Sequence, residues 1–174
     1  IENTYSKNYI HSFSISGASS TNGNFIGMRA GGGMGSFKNN IISLGGNTKT
    51  NIYGIYEFGM STPNNNDVYH NTICLHGTLA SGSTNKSYGL YSFFFSNVKD
   101  IRNNIFYNER STVGGSSLHY AAWFNYTSSA NITLDNNDYY APGTGGVLGR
   151  WNNADQTALP LITNQDDNSL TMDP

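Results

Sequence analysis

The chain has 174 residues, a formal net charge of −2 and only 11% charged residues, against 37% hydrophobic and 13% aromatic. No basic run is there to hold a phosphate backbone and no stretch approaches the roughly 20 apolar residues of a membrane helix, so neither nucleic acid nor membrane insertion is expected. The 12 Tyr, 9 Phe and 2 Trp carry enough apolar area to fill a narrow interior, which argues against a disordered chain despite the polar bias.

Taken in chain order, one short phrase keeps returning. Asn8-Tyr9-Ile10, Asn39-Asn40-Ile41, Asn71-Thr72-Ile73 and Asn103-Asn104-Ile105 share an Asn-x-Ile unit that degenerates at Asn136-Asn137-Asp138, and the first residues lie 31, 32, 32 and 33 positions apart. A second phrase precedes it on a less even beat: Ile26-Gly27-Met28-Arg29, Tyr53-Gly54-Ile55-Tyr56, Tyr88-Gly89-Leu90-Tyr91 and Tyr120-Ala121-Ala122-Trp123. Self-similarity at such a period marks stacked supersecondary units, none of which buries its apolar face alone.

The units are short alternating runs of Ile, Tyr, Phe, Thr and Val bounded by Gly, Asn, Ser and Pro, a pattern of strands and turns rather than of helices. Strands are predicted over 25–30, 53–60, 67–77, 87–95, 98–108, 131–140 and 147–151, with turns at 19–24, 31–35, 61–66 and 96–97. The Ser/Gly-rich excursions 78–86 and 109–118 leave successive coils at one point and form a shared loop edge, where solenoids often bind. A short helix interrupted by Pro160 is predicted over 154–162, followed by a polar tail. The expected fold is all-β, a right-handed parallel β-helix (solenoid) of about five coils of ~32 residues, each rising about 4.8 Å. It forms a single domain, 1–174, with regular coils over 1–140 and an irregular closing segment over 141–174, and reads as a piece of a longer protein.

Stacking puts equivalent residues directly above one another, so two columns follow. Asn8, Asn39, Asn71, Asn103 and Asn136 are expected to face inward as an amide ladder, each donating to one neighbour and accepting from the other. Lys7, Lys38, His70, Arg102 and Asp135 then form an outward polar row. Arg29, Tyr56, Tyr91 and Trp123 form an aromatic column that, facing outward, offers sugar rings a surface to stack on. The small residues Gly27, Gly54, Gly89 and Ala121 share its parity and cannot fill an interior, which favours the outward orientation; the alternative is that the column is the core.

These coil phrases resemble the right-handed parallel β-helix repeats of the pectate-lyase-like superfamily. The closing stretches Leu134-Asp135-Asn136-Asn137-Asp138-Tyr139-Tyr140 and Asp166-Asp167-Asn168-Ser169-Leu170-Thr171-Met172-Asp173-Pro174 resemble β-helix regions of large secreted bacterial surface proteins that travel by type IX secretion. The resemblance implies an extracellular or cell-surface location and a structural or adhesive role. The partners it implies are a polysaccharide or cell-surface glycan, other domains of the parent protein and the type IX secretion machinery. The alternatives are part of a polysaccharide lyase or glycoside hydrolase and a viral tail-spike-like β-helix.

Catalysis is not expected. A hydrolase of this fold needs carboxylates paired across adjacent coils, and Asp67, Asp100 and Asp135 form no clean column. His11, His76 and His119 lack metal-ligand spacing, and Cys74, the single cysteine, reads as a small buried hydrophobe. No cofactor is expected. Asp166, Asp167 and Asp173 are the carboxylates Ca²⁺ would use, but their order matches no EF-hand loop, and a turn held by Asp side chains is the expectation.

Overall fold

The computed structural model describes residues 2–15, 23–31, 34–58, 65–93, 98–125 and 128–174. Their strands stack into three parallel faces. The first face is Glu2–Ser6, Met34–Lys38, Asn66–Tyr69, Lys99–Arg102 and Ile132–Asp135. The second is Tyr9–Ser14, Ile41–Gly45, Thr72–His76, Ile105–Asn108 and Asp138–Tyr140. The third is Asn24–Ala30, Asn51–Glu57, Ser87–Ser92, His119–Phe124 and Gly146–Trp151. Each strand pairs with the equivalent strand one coil away. This is a parallel β-helix of about four turns, slightly fewer than the five coils expected, because five strands per face enclose only four coil-to-coil steps.

The expected helix over 154–162 does not form. Asn152 and Asn153 both take positive φ, 50° and 59°, which makes a tight two-residue turn. Ala154–Gln156 then folds back antiparallel on Gly149–Trp151 and closes the third face. The tail keeps stacking instead of lying loose: Asp166 N donates to Leu134 O at 2.9 Å and Leu170 N to Asn137 O at 2.7 Å. The turns expected at 19–24, 61–66 and 96–97 lie wholly or largely outside the described residues, and Met34–Lys38 is strand rather than bend.

Inward columns fill the interior. Phe37, Val68, Ile101 and Leu134 line the first face, Ile42, Ile73, Phe106 and Tyr139 the second, and Ile55, Leu90 and Ala122 the third, all buried. Removing this apolar area from water coil by coil is the main stabilising term.

The corner between the first two faces corrects the expected amide ladder. The ladder is Asn8, Asn40, Asn71, Asn104 and Asn137. Asn39, Asn103 and Asn136 lie one position earlier, outside, with φ of 54°, 58° and 53°. A single left-handed residue at the corner shifts the inward parity by one, so strict alternation from Ile101 fails at Arg102-Asn103, and Asn104 and Phe106 face in. Asn tolerates that conformation better than most residues, which explains why the outer corner position is often Asn, while the inner one is Asn because the ladder needs an amide. In the ladder, Asn71 Nδ2 donates to Asn104 Oδ1 (3.0 Å) and to Phe37 O (2.9 Å), while its Oδ1 accepts from Asn40 Nδ2 (2.9 Å) and Asn40 N (3.0 Å). Donors and acceptors are matched, as burial requires. At the closing end Ser169 Oγ replaces the next amide and accepts from Asn137 N at 2.9 Å.

Two polar groups also sit inside. Lys99 and Glu57, both buried, face each other at 3.7 Å, and Asn66 and Ser92 donate to the Glu57 carboxylate at 2.9 and 2.8 Å. Burial pulls the Lys99 ammonium pKa down, and Glu57 opposes that shift. Under the loop edge, Arg110 donates to Thr50 O (3.1 Å) and Thr48 O (2.8 Å). Thr78–Leu79 and Ser111–Thr112 pair as a small two-stranded ledge, and Ser83, Arg110, Thr112 and Ser117 of the excursions are buried.

Candidate binding face

The third face carries the largest aromatic group in the structure, and its strand geometry explains why. Between Tyr53 and Tyr56 the in–out alternation of the strand is broken at Gly54 and Ile55, both buried, and a Cβ built on Gly54 would stand 2.3 Å from Ile73 Cγ2 and 2.5 Å from Gly89 O. Gly54 therefore points inward beside Ile52 and Ile55, while Tyr53 and Tyr56, three residues apart, both point out. Gly27, Gly54, Gly89 and Ala121 lie inside, not on the outer side that their parity predicts: at Gly27 and Gly54 a Cβ would run into Ile42 and Ile73, and Ala121 is fully buried.

Arg29, Tyr56, Tyr91 and Trp123 lie in register on four neighbouring strands, and Arg150 extends the column to the fifth. Their inward neighbours Ile55, Leu90 and Ala122 are core, so the column faces outward, with Arg29 exposed and the three rings partly exposed. A second column beside it, Tyr53, Tyr88 and Tyr120, begins the same sequence phrase three residues earlier. Its rings are parallel, at 4.8 Å between Tyr53 and Tyr88 and 5.8 Å between Tyr88 and Tyr120, and the upper two are buried. Tyr91 and Trp123 stand at 78° and 86° to this inner stack and parallel to each other within 22°, with centroids 5.8 Å apart. Phe58 and Phe93, 5.1 Å apart, widen the slab at the far corner. Stacked and edge-to-face pairs of this kind rigidify a surface.

Burial dominates the electrostatics here. It pushes the Tyr53 and Tyr91 phenols up to about 12 and those of Tyr88 and Tyr120 higher still, so all stay protonated at neutral pH. Tyr120 Oη donates to Asp155 Oδ1 at 3.1 Å, and Arg150 meets the same carboxylate at 2.8 Å. Cations lean on the rings: Arg29 lies 5.9 Å from Tyr56 and 5.8 Å from Phe58, Lys86 5.2 Å from Trp123, and Arg150 4.7 Å from Trp123. The inner Tyr column was readable from its recurrence; the joining of Lys86, Arg150, Phe58 and Phe93 to the slab depends on cross-strand placement.

The remaining candidates lie outside this ring column. Asp67 and Asp100 do pair in register, contrary to expectation, whereas Asp135 pairs with Arg102. Arg102 grips the Asp100 carboxylate with both Nε and Nη2 and lies over Tyr69, and the phenol and the guanidinium of this exposed network both titrate above their ordinary range. The expected outward row is really Ser6, Lys38, Tyr69, Arg102 and Asp135, with Lys7 and His70 in the adjacent left-handed column.

His119 is fully buried between Ser87 Oγ (2.9 Å) and Thr112 Oγ1 (2.9 Å), and burial with Arg110 nearby holds its pKa at about 4. The ring is thus neutral, hydrogen-bonded to a hydroxyl at each nitrogen and closed off from solvent. Cys74 is half-buried and its thiol is pushed up by burial and Glu109. Asp166 is buried, its carboxyl raised by desolvation, with Tyr139 Oη (3.0 Å) and Ser169 Oγ (2.8 Å) donating to Oδ1. Among the described residues no three His, Cys, Asp or Glu converge to hold a metal ion, and no helix is long and apolar enough to cross a membrane. No family model matches the chain, and no curated protein or solved structure matches it either.

Proposed function

We propose that this chain is a rigid surface module whose third face binds carbohydrate. The observation that carries the reading is the outward, in-register column Tyr56, Tyr91 and Trp123, backed by a buried Tyr stack that holds the rings in place. Sugar rings present C–H faces that pack against aromatic surface, while hydroxyls find the phenols and cations around it. Continuous strand pairing through the stack supplies the stiffness an adhesive or spacer element needs. The resemblance to secreted bacterial β-helix regions supports placing the module outside the cell, in a larger surface protein with further domains, and makes the type IX machinery the route to propose.

A glycan array probed with the protein and with a Tyr91→Ala, Trp123→Ala double variant tests the reading. Binding by the protein and its loss in a variant that keeps the same circular dichroism spectrum supports it. A folded protein that retains no glycan leaves only the spacer role.

A further inference from the structure

The charge on the third face differs from that of the chain as a whole. Its outward side carries three cations, Arg29, Lys86 and Arg150, and one carboxylate, Asp155, a balance of 3 − 1 = +2, while the whole chain is −2. Asp155 is committed to Arg150 and Tyr120. Arg29 and Lys86 have no carboxylate within ion-pair distance among the described residues; each rests on aromatic rings instead. The nearest acids by sequence belong elsewhere: Glu57 is buried in the interior with Lys99, and Glu2, Asp67 and Asp100 are on strands of the first face. A cation held on a ring keeps its charge available to an incoming anion and is less hydrated than one in open water.

We infer that the aromatic face selects an anionic glycan, one bearing carboxylate or sulfate groups, over a neutral one. This rests on the carbohydrate reading and sharpens it. The rings take the sugar faces, and Arg29 at the lower end and Lys86 toward the upper end take the anionic groups. Arg29 lies on Asn24–Ala30 and Lys86 immediately precedes Ser87–Ser92, two strands further along, about 10 Å on the axis and offset from Arg29 along the strand direction. Their charged ends rest on Tyr56 and Phe58 and on Tyr120 and Trp123, so a ligand crossing the aromatic column obliquely meets both with groups on non-adjacent sugars. Arg29 makes the stronger contact, since its planar fork matches a carboxylate or sulfate with two parallel hydrogen bonds. A nucleic-acid strand fits less well: it carries a phosphate at every nucleotide, and two uncompensated cations neutralise few of them.

The test is titration calorimetry of the protein with polygalacturonate, dextran sulfate, neutral dextran and oligo-dT, repeated with an Arg29→Gln, Lys86→Gln variant and with Tyr91→Ala. Both cation substitutions are at surface positions, and matching thermal melts check the fold. The expected result is that at least one anionic glycan binds about tenfold or more tightly than neutral dextran. That preference shrinks as salt is raised from 50 to 300 mM and disappears in the Arg29→Gln, Lys86→Gln variant, while Tyr91→Ala weakens every glycan. Equal affinity for anionic and neutral polymers overturns the selectivity but leaves the carbohydrate face standing. Binding to no glycan at all overturns both, and oligo-dT binding as tight as the best glycan overturns the assignment to carbohydrate.

Discussion

The amide ladder at the first corner and the aromatic slab on the third face repeat with the same rise, yet they tolerate sequence differently. Every ladder position from Asn8 to Asn137 is Asn. The equivalent slab positions run Arg29, Tyr56, Tyr91, Trp123 and Arg150. A buried hydrogen-bond chain needs one group that both donates and accepts at a set distance, and a single mismatch leaves several polar groups unpaired. Ring packing at a partly exposed surface is broad in geometry and accepts any flat or ring-stacking side chain. The interior column is thereby committed to holding the coils together, and the exterior column is free to vary with a ligand.

That contrast can be broken most forcefully at Asn71. Asn71→Ala leaves Asn40, Asn104 and Phe37 O short of partners, and a loss of about 5 kcal/mol is expected in urea melts, enough to unfold a marginal domain. Lys99→Met strands the Glu57 carboxylate inside and is expected to cost about 4 kcal/mol, whereas pairing it with Glu57→Leu recovers much of the loss. The gap between single and double variants is the measurement.

His119 tests the interior by pH. Its folded pKa of about 4 lies below the ordinary 6.5, so between those values the unfolded chain takes up a proton that the folded state refuses. The contribution is full above pH 6.5 and is lost as pH falls toward 4, up to roughly 3 kcal/mol. Melts across that window, with the His119 imidazole resonance still neutral at pH 5, check the sign. A histidine that titrates near 6.5 in the folded protein breaks the account.

On the slab, Tyr91→Ala removes a partly exposed ring from contacts with Tyr88 and Trp123 and is expected to cost only about 1–2 kcal/mol, with the fold intact. The smallest effect belongs to Asn103, one residue before a ladder member. Asn103→Ala is expected to cost about 1 kcal/mol through its left-handed backbone, and Asn103→Gly almost nothing. If Asn103→Ala proved as damaging as Asn104→Ala, the division of this corner into an inner and an outer column would fail.

The parallel β-helix was legible without coordinates, because a period near 32 residues and period-two alternation are local properties of the string. The existence of an amide ladder is legible too, and so is the membership of Asn8 and Asn71. Three of its members were not, since Asn39-Asn40, Asn103-Asn104 and Asn136-Asn137 each offer two adjacent amides, and one left-handed residue decides which turns in. The aromatic column Arg29, Tyr56, Tyr91 and Trp123 was also visible as a recurrence. Its small neighbours, which by parity would share its outward side, in fact lie inside.

The repeat, the strand content and the height of each residue in its coil all follow from spacing along the chain. Folding in three dimensions sets which way each column faces, brings Asp67 and Asp100 side by side, turns Glu57 inside and gathers Arg29, Lys86 and Arg150 on the ring face. The physical reason is that direction and charge grouping depend on corner dihedrals and on cross-coil neighbours about 30 residues away, and neither is carried by local composition.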